Sequence, residues 1–366
     1  MLQQWGMQAA LQYESEDFHF VASESWVTRL KASNRICQRK VTRYIKSINA
    51  LDTDTIISEA TKFQKRISKI ITKFDLNFVI NTGQTGCEYR SDVRRSLSGK
   101  GEKLTEVFIG DFNKVTHSYT AQYAVTATGK LLPRVFLCMQ EPKGQFGPRV
   151  KRQVTLLSEK FGNVYVTASK SGKLTKQHFN EFVAEIMKPY CEDSDFLLIL
   201  DSWGGQTDIS LFNSHFTDDD GNCTATVEVI PPHCTPFCQP CDVYFFRQVK
   251  NFIKKIQNCT EVLQSNKELS TREDAIKIHS LIHSQLSSPL FEDMIVYAWF
   301  ASKLLPERKV FQNVNEVCFP PEIRKQKCAC GKLCFINCAN CRLFICFECF
   351  YNLYHPSSCA RNVNVD

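Results

Sequence analysis

The chain has 366 residues, 43% hydrophobic and 11% aromatic, enough for a substantial core and too much for a largely disordered chain. Its net charge of +7 is modest, so contact with a polyanion depends on where the cations gather. No run of about 18 apolar residues occurs and no charged-then-apolar leader opens the chain, so no membrane span and no signal peptide are expected.

Residues 1–47 read as helices. Trp5, Ala9, Leu11 and Tyr13 belong to the first. Ser23 is placed to cap the second, whose apolar residues Trp26, Val27 and Leu30 recur at helical spacing. A third begins near Gln38, with Val41, Tyr44 and Ile45. Across this region run Arg29, Lys31, Arg35, Arg39, Lys40, Arg43 and Lys46 without an acidic residue between them. Such a run is either a solvated face or a row of phosphate contacts. Ile56, Ile57, Phe63, Ile67, Ile70 and Ile71 then form the apolar side of an amphipathic helix over residues 55–73.

From residue 77 the pattern becomes extended. Asn77–Asn81, Ser118–Ala127, Pro133–Met139, Asn163–Ala168, Phe196–Leu200 and Thr224–Ile230 read as strands. Helices are expected at Thr175–Met187, near Val243–Ile256, and over Arg272–Leu304, with a loop at Lys170–Lys173. Strands first and alternation afterwards predict a mixed α/β sheet. Residues 305–325, with Pro306, Pro320 and Pro321, read as a linker. No internal repeat or low-complexity tract interrupts this order.

Two acidic residues stand out by position. Asp201 ends the apolar run Phe196–Leu200, and Asp242 follows Gln239-Pro240-Cys241 at the head of a basic helix. Carboxylates gathered at strand ends and on a following helix are what two divalent ions need, about 3.5–4 Å apart, to hold the attacking and leaving oxygens of a phosphoryl displacement. The ordinary alternative is strand-end and helix-start capping. On the basic helix, Arg247, Lys250, Lys254 and Lys255 fall largely on one side and Phe245, Phe246, Val249, Phe252 and Ile253 on the other. That edge suits a DNA backbone, or is a plain amphipathic surface. Cys234, Cys238 and Cys241 crowd Asp242 and read as small loop residues or a soft-metal site.

The wording around these residues resembles pogo-like, mariner-superfamily DDE transposases over roughly residues 75–260. Asn81-Thr82-Gly83-Gln84-Thr85-Gly86 is similar to the first catalytic motif, Leu198-Ile199-Leu200-Asp201-Ser202 to the second, and Ile230-Pro231-Pro232 through Gln239-Pro240-Cys241-Asp242 to the third. The resemblance implies a ribonuclease-H-like fold and casts Asp201 and Asp242 as the second and third metal-binding carboxylates. Gly83 stands where the family has its first Asp, so Mg²⁺ is expected to be weakly held. Glu88 and Asp75 lie nearby in sequence, but either replaces that Asp only if the backbone folds back. Ser202 stands where the family usually has Asn.

Residues 5–30, from Trp5-Gly6-Met7 through Trp26-Val27-Thr28-Arg29-Leu30, resemble the second half of a CENP-B-type helix-turn-helix. The resemblance gives Trp26 and Leu30 a core role and turns Arg29, Lys31, Arg35, Arg39, Lys40 and Arg43 toward DNA. The chain opens inside or just after the first helix of that unit, so a truncated reader is expected.

At the C-terminus, Cys328 and Cys330, Cys338 and Cys341, Cys346 and Cys349, and His355 and Cys359 form four ligand pairs within 32 residues. Such spacing in a chain without a secretory route predicts structural Zn²⁺ rather than disulfides. Four pairs imply two ions, with cross-bracing of first to third and second to fourth as one arrangement; Cys334 is a further candidate ligand. So small a segment should draw its folding energy from the metal.

The expected organisation is therefore an all-α helix-turn-helix over 1–50, an α/β ribonuclease-H-like DDE domain over 51–305 and a small zinc module over 326–362. The leading expectation is a transposon-derived, nuclear, DNA-binding protein with a degraded nuclease centre. One alternative is an active Mg-dependent transposase that cuts and joins DNA. Another is a host-adopted regulator working through its zinc module, which would bind a protein partner or a second copy.

Overall fold

The structure, a computed structural model, describes residues 20–35, 53–89, 118–208, 210–263 and 269–354, together with Gly6, Ala9, Ala10, Tyr13 and Cys359. The chain divides into two compact units, Met1–Thr53 and Asp54–Asp366.

In the first unit, helix α1 (Glu24–Ser33) begins as its sequence demands: Ser23 is the N-cap and its Oγ accepts a hydrogen bond from Trp26 N at 3.2 Å. Trp26 meets Phe20 edge-on at 5.0 Å, and its ring lies so close to Gly6 that a side chain there would collide with it. No residue of α1 is fully buried. Lys31 lies half-buried, whereas Arg29 and Arg35 are exposed. The expected helix from Gln38, with Arg39, Lys40 and Arg43, lies outside the described residues, as does most of the first helix.

The second unit opens with α2 (Thr53–Ile71), whose stripe Ala60, Phe63, Ile67 and Ile71 is buried. Six strands follow: β1 (Val79–Glu88), β2 (Ser118–Thr126), β3 (Val135–Gln140), β4 (Val164–Ser169), β5 (Phe196–Leu200) and β6 (Ala225–Val229). Their order across the sheet is β4-β3-β2-β1-β5-β6. Antiparallel pairing joins β1, β2 and β3, while β3/β4, β1/β5 and β5/β6 are parallel. The six expected strands are all present. The first runs longer than its apolar residues indicate, carrying straight through Gly83 and Gly86 to Glu88.

Helices cover both faces. After β3 comes α3 (Pro148–Phe161), opened by Pro148 in its first turn and closed by Gly162 in the left-handed region at φ 72°. Between β4 and β5, α4 (Lys176–Phe182) passes through a π turn, Val183–Met187, into α5 (Lys188–Cys191). Between β5 and β6 lies α6 (Ser210–His215). Beyond β6, α7 (Thr235–Cys238) and a π turn at Cys241–Phe245 lead into α8 (Phe246–Leu263). The helix expected over 272–304 is two, α9 (Arg272–Leu286) and α10 (Glu292–Ala301). The break falls at Pro289, which has no N–H to continue α9, and Ser288 caps the short turn that follows.

Strand alternation divides the core. Val79, Leu197 and Ile199 face α2, α8, α9 and α10, while Ile80, Leu198 and Leu200 face α4 and α6. Beneath the first face His279 sits between two tyrosines, with Nε2 3.0 Å from Tyr119 OH and Nδ1 2.7 Å from Tyr123 OH. Burial lowers its pKa to about 3, so a neutral ring satisfies both hydroxyls.

Residues 305–325 do not behave as a free linker. They include α11 (Val314–Cys318), whose Val314, Val317 and Cys318 are buried in the main core. A small hairpin, β7 (Ile336–Asn337) and β8 (Phe344–Ile345), then carries the cysteine-rich segment. Among the described residues, no helix is long and apolar enough to cross a membrane.

Candidate functional site

The last β5 residues on the α8 side are Leu197 and Ile199, so Asp201 points the same way, toward the helix that carries Asp242. Asn81 pairs with Ile199 in the parallel register, and Gly83 and Asp201 each follow that pair by two residues, Asp201 directly after the end of β5. Asn81 also ties the third segment to the sheet: its Oδ1 accepts from Cys241 N at 3.0 Å, and its Nδ2 donates to Ile199 O at 2.9 Å. The three positions singled out in sequence therefore converge on one face of the sheet.

Asp201 is half-buried. Its Oδ1 accepts hydrogen bonds from Trp203 N at 2.9 Å and from Gln206 Nε2. Desolvation outweighs these bonds and raises its pKa. Asp242 has an open outer surface, yet desolvation and then the Asp201 charge push its carboxyl up to about 6, with Lys250 acting in the opposite sense. The Asp201 charge is thus felt at Asp242, which places the two carboxylates in one electrostatic neighbourhood.

Position 83 is packed. A Cβ on Gly83 would run into Gln239 Nε2 and stand 3.1 Å from Cys241 Cβ and 3.2 Å from Phe246 Cε2. Gln239 is fully buried, and its amide donates to Thr82 O at 3.3 Å. An amide thus stands where a side chain at position 83 would project. The neighbouring acids do not replace it. β1 runs unbroken to Glu88, whose side chain takes the opposite parity, and Asp75 is spent capping Asn77 N at 2.9 Å. Sequence reasoning missed Gln239, because only the tertiary packing brings it to position 83.

On α8, Arg247, Lys250 and Lys254 are exposed at spacings of three and four, while Phe245, Phe246, Val249, Phe252 and Ile256 are buried. Lys250 and Lys254 border a cavity of about 270 Å³ against Gly86, Cys87 and Glu88 at the far end of β1. Lys255 instead covers the Phe319 ring at 5.4 Å. Cys234, Cys238 and Cys241 are buried, with thiols donating to Ile56 O at 3.5 Å, Ala60 O at 3.8 Å and Asn81 O at 3.8 Å. They join no metal-holding group among the described residues.

The C-terminal cysteines form two clusters. Cys328, Cys330, Cys346 and Cys349 gather in one and Cys338, Cys341 and Cys359 in the other, each with its sulfurs within 4.8 Å of one another. First pair meets third and second meets fourth. Cys330 Sγ lies 3.5 Å from Cys346 Sγ, and Cys338 Sγ 3.6 Å from Cys359 Sγ. Tetrahedral zinc with bonds of about 2.3 Å separates its sulfurs by roughly 3.8 Å, so both clusters fit that ion. His355 lies outside the described residues. Cys334 is not part of either cluster.

This segment is built onto the main core. Ile336, Ala339, Phe347, Phe350 and Tyr351 share it with α8 and α9. Gln285, fully buried on α9, donates from Nε2 to Cys338 Sγ at 3.3 Å and accepts from Ala339 N at 2.7 Å. Ser288 Oγ donates to Ala339 O at 2.9 Å, and Tyr351 OH donates to Asp274 Oδ1 at 2.6 Å.

A mixed sheet with β1 near its centre, Asp201 directly after β5 and Asp242 in the π turn that leads into α8 make up a ribonuclease-H-like α/β architecture. Residues 124–303 match the family model of the DDE superfamily endonucleases, a span that includes both aspartates and begins beyond Gly83. Among solved structures the chain is similar to the Mos1 transposase paired-end complex with left transposon end, at 12% identity and a TM-score of 0.38, covering 84% of this chain and 79% of that one. The Mos1 mariner paired end complex with Mn is similar at 11% identity and a TM-score of 0.39, over the same shares. Likenesses at this level give no residue-by-residue correspondence. No curated protein matches the chain.

Proposed function

We propose that this is a transposase-derived, nuclear DNA-binding protein whose DDE centre no longer cuts DNA. The observation that carries the reading is the occupancy of position 83. Gln239, Cys241 and Phe246 pack into the place of the first carboxylate, beside Asp201 and Asp242. Two-ion phosphoryl transfer needs ligands for both ions, and here a neutral amide stands for one of three carboxylates. The exposed cations Arg247, Lys250 and Lys254 line the same side and suit phosphates. Arg29, Lys31, Arg35, Arg39, Lys40 and Arg43 would add further contacts from the N-terminal helices. Two structural zinc ions, with His355 completing the second site, would hold the C-terminal segment.

The test is a Mg²⁺- and Mn²⁺-dependent cleavage assay on terminal-inverted-repeat DNA. Binding without cleavage is the expected result. Cleavage by the unmodified chain, abolished by Asp201→Ala, would falsify the reading and favour an active transposase. A regulator acting through an independent zinc module is disfavoured by the shared core, since Phe347, Phe350 and Tyr351 pack with α9.

A further inference from the structure

We propose that Gln239 supplies a neutral oxygen ligand to a single divalent cation held by Asp201 and Asp242. The inference rests on the non-cutting reading and says what the altered centre does instead.

Gln239 is fully buried, and its amide occupies the place of the side chain that position 83 lacks. The amide nitrogen is used, donating to Thr82 O. The amide oxygen is buried with no hydrogen-bond partner among the described residues. A buried acceptor left unpaired is costly, so its persistence calls for an occupant. Carboxamide oxygens are hard ligands of the kind that Mg²⁺, Mn²⁺ and Ca²⁺ take beside carboxylates. On Asp201 the bonds from Trp203 and Gln206 fall on Oδ1, leaving Oδ2 uncommitted among the described residues.

Charge argues for a single ion. Two carboxylates and a neutral amide balance one divalent ion, and a second would be left without an anionic ligand. A lone cation cannot hold the attacking and leaving oxygens together. It still relieves the repulsion between Asp201 and Asp242 and presents open positions to a phosphate oxygen.

The experiment is a titration of the full, zinc-loaded chain with Mn²⁺ alone, free Mn²⁺ being read by electron paramagnetic resonance. One equivalent is expected, abolished by Asp201→Asn. Gln239→Leu keeps the shape and removes the oxygen, and should weaken binding about tenfold or more; Gln239→Glu should tighten it by a similar factor. Unchanged affinity in Gln239→Leu would overturn the proposal, as would two equivalents of Mn²⁺ or none in the unmodified chain. If the leucine variant does not fold, the near-isosteric glutamate variant decides, and absence of tightening overturns the proposal. Cleavage by the unmodified chain would sink the non-cutting reading instead, whatever the response of the Gln239 variants.

Discussion

The aspartate pair and the cysteine clusters stand in different surroundings, and the contrast is physical. Asp201, Asp242 and position 83 lie toward one face of a sheet whose apolar packing is made by side chains alone. Position 83 there is closed in by Gln239, Cys241 and Phe246. The cysteine segment has a two-strand hairpin and a short helical turn, Cys349–Leu353, and borrows its apolar packing from the main core. Its sulfurs hold these pieces together, so a lost ligand should release them. A thiolate coupled to folding is costly to remove, whereas the packing around position 83 does not depend on an ion.

The largest effect expected from this contrast comes from stripping the thiolate sites. Chelation, or Cys341→Ser, should unfold residues 326–359 and expose the face of α9 that Gln285 anchors. Structural zinc in small peptides contributes on the order of 10 kcal/mol. Thermal melting should shift down steeply, with faster amide exchange in Arg272–Leu286. An unchanged melt would mean that the metal does not hold the segment.

Next comes restoring the first carboxylate. Gly83→Asp alone should destabilise the chain by about 1–3 kcal/mol through overpacking and leave cleavage absent. Adding Gln239→Ala should recover most of that loss in a denaturant titration and is the combination with a chance of cutting. A stable, cleaving single variant would show that Gln239 yields its place freely.

A smaller effect belongs to the basic edge. Lys250→Gln and Lys254→Gln should each weaken DNA binding about equally across sequences and lower the slope of log affinity against log salt by about 1. A flat salt response in the unmodified chain would remove α8 from the interface.

The smallest effect is pH-dependent. The folded pKa of Asp242, raised to about 6, lies above its ordinary value of 3.8, so the folded chain binds the extra proton between those limits. Its contribution is fully present below pH 4 and is lost as pH rises through 6. Asp242→Asn should flatten that decline in melting temperature between pH 4 and 7, and an unchanged profile would assign the titration elsewhere.

Much of the sheet was legible because buried strands write themselves as apolar runs: Phe196–Leu200 is fully buried along its length. The far half of β1 was not, since Thr82-Gly83-Gln84-Thr85-Gly86 carries no apolar period and is extended by pairing with β2. Helix α3 was absent from the expectations although Pro148, the stripe Val150, Val154, Leu157 and Phe161, and Gly162 mark it; its many exposed polar residues dilute the stripe. Asp201 and Asp242 were readable from motif wording. What fills position 83 was not, because Gln239 lies 156 residues further along the chain and only the fold brings the two together.

The packing at position 83 has a further consequence. A side chain added there would meet first the end of the Gln239 amide, and would stand 3.1 Å from Cys241 Cβ and 3.2 Å from Phe246 Cε2. That amide is in turn tied to Thr82 on the same strand. What position 83 can carry is therefore set by where Gln239 lies, so tolerance to substitution belongs to the pair and not to either residue.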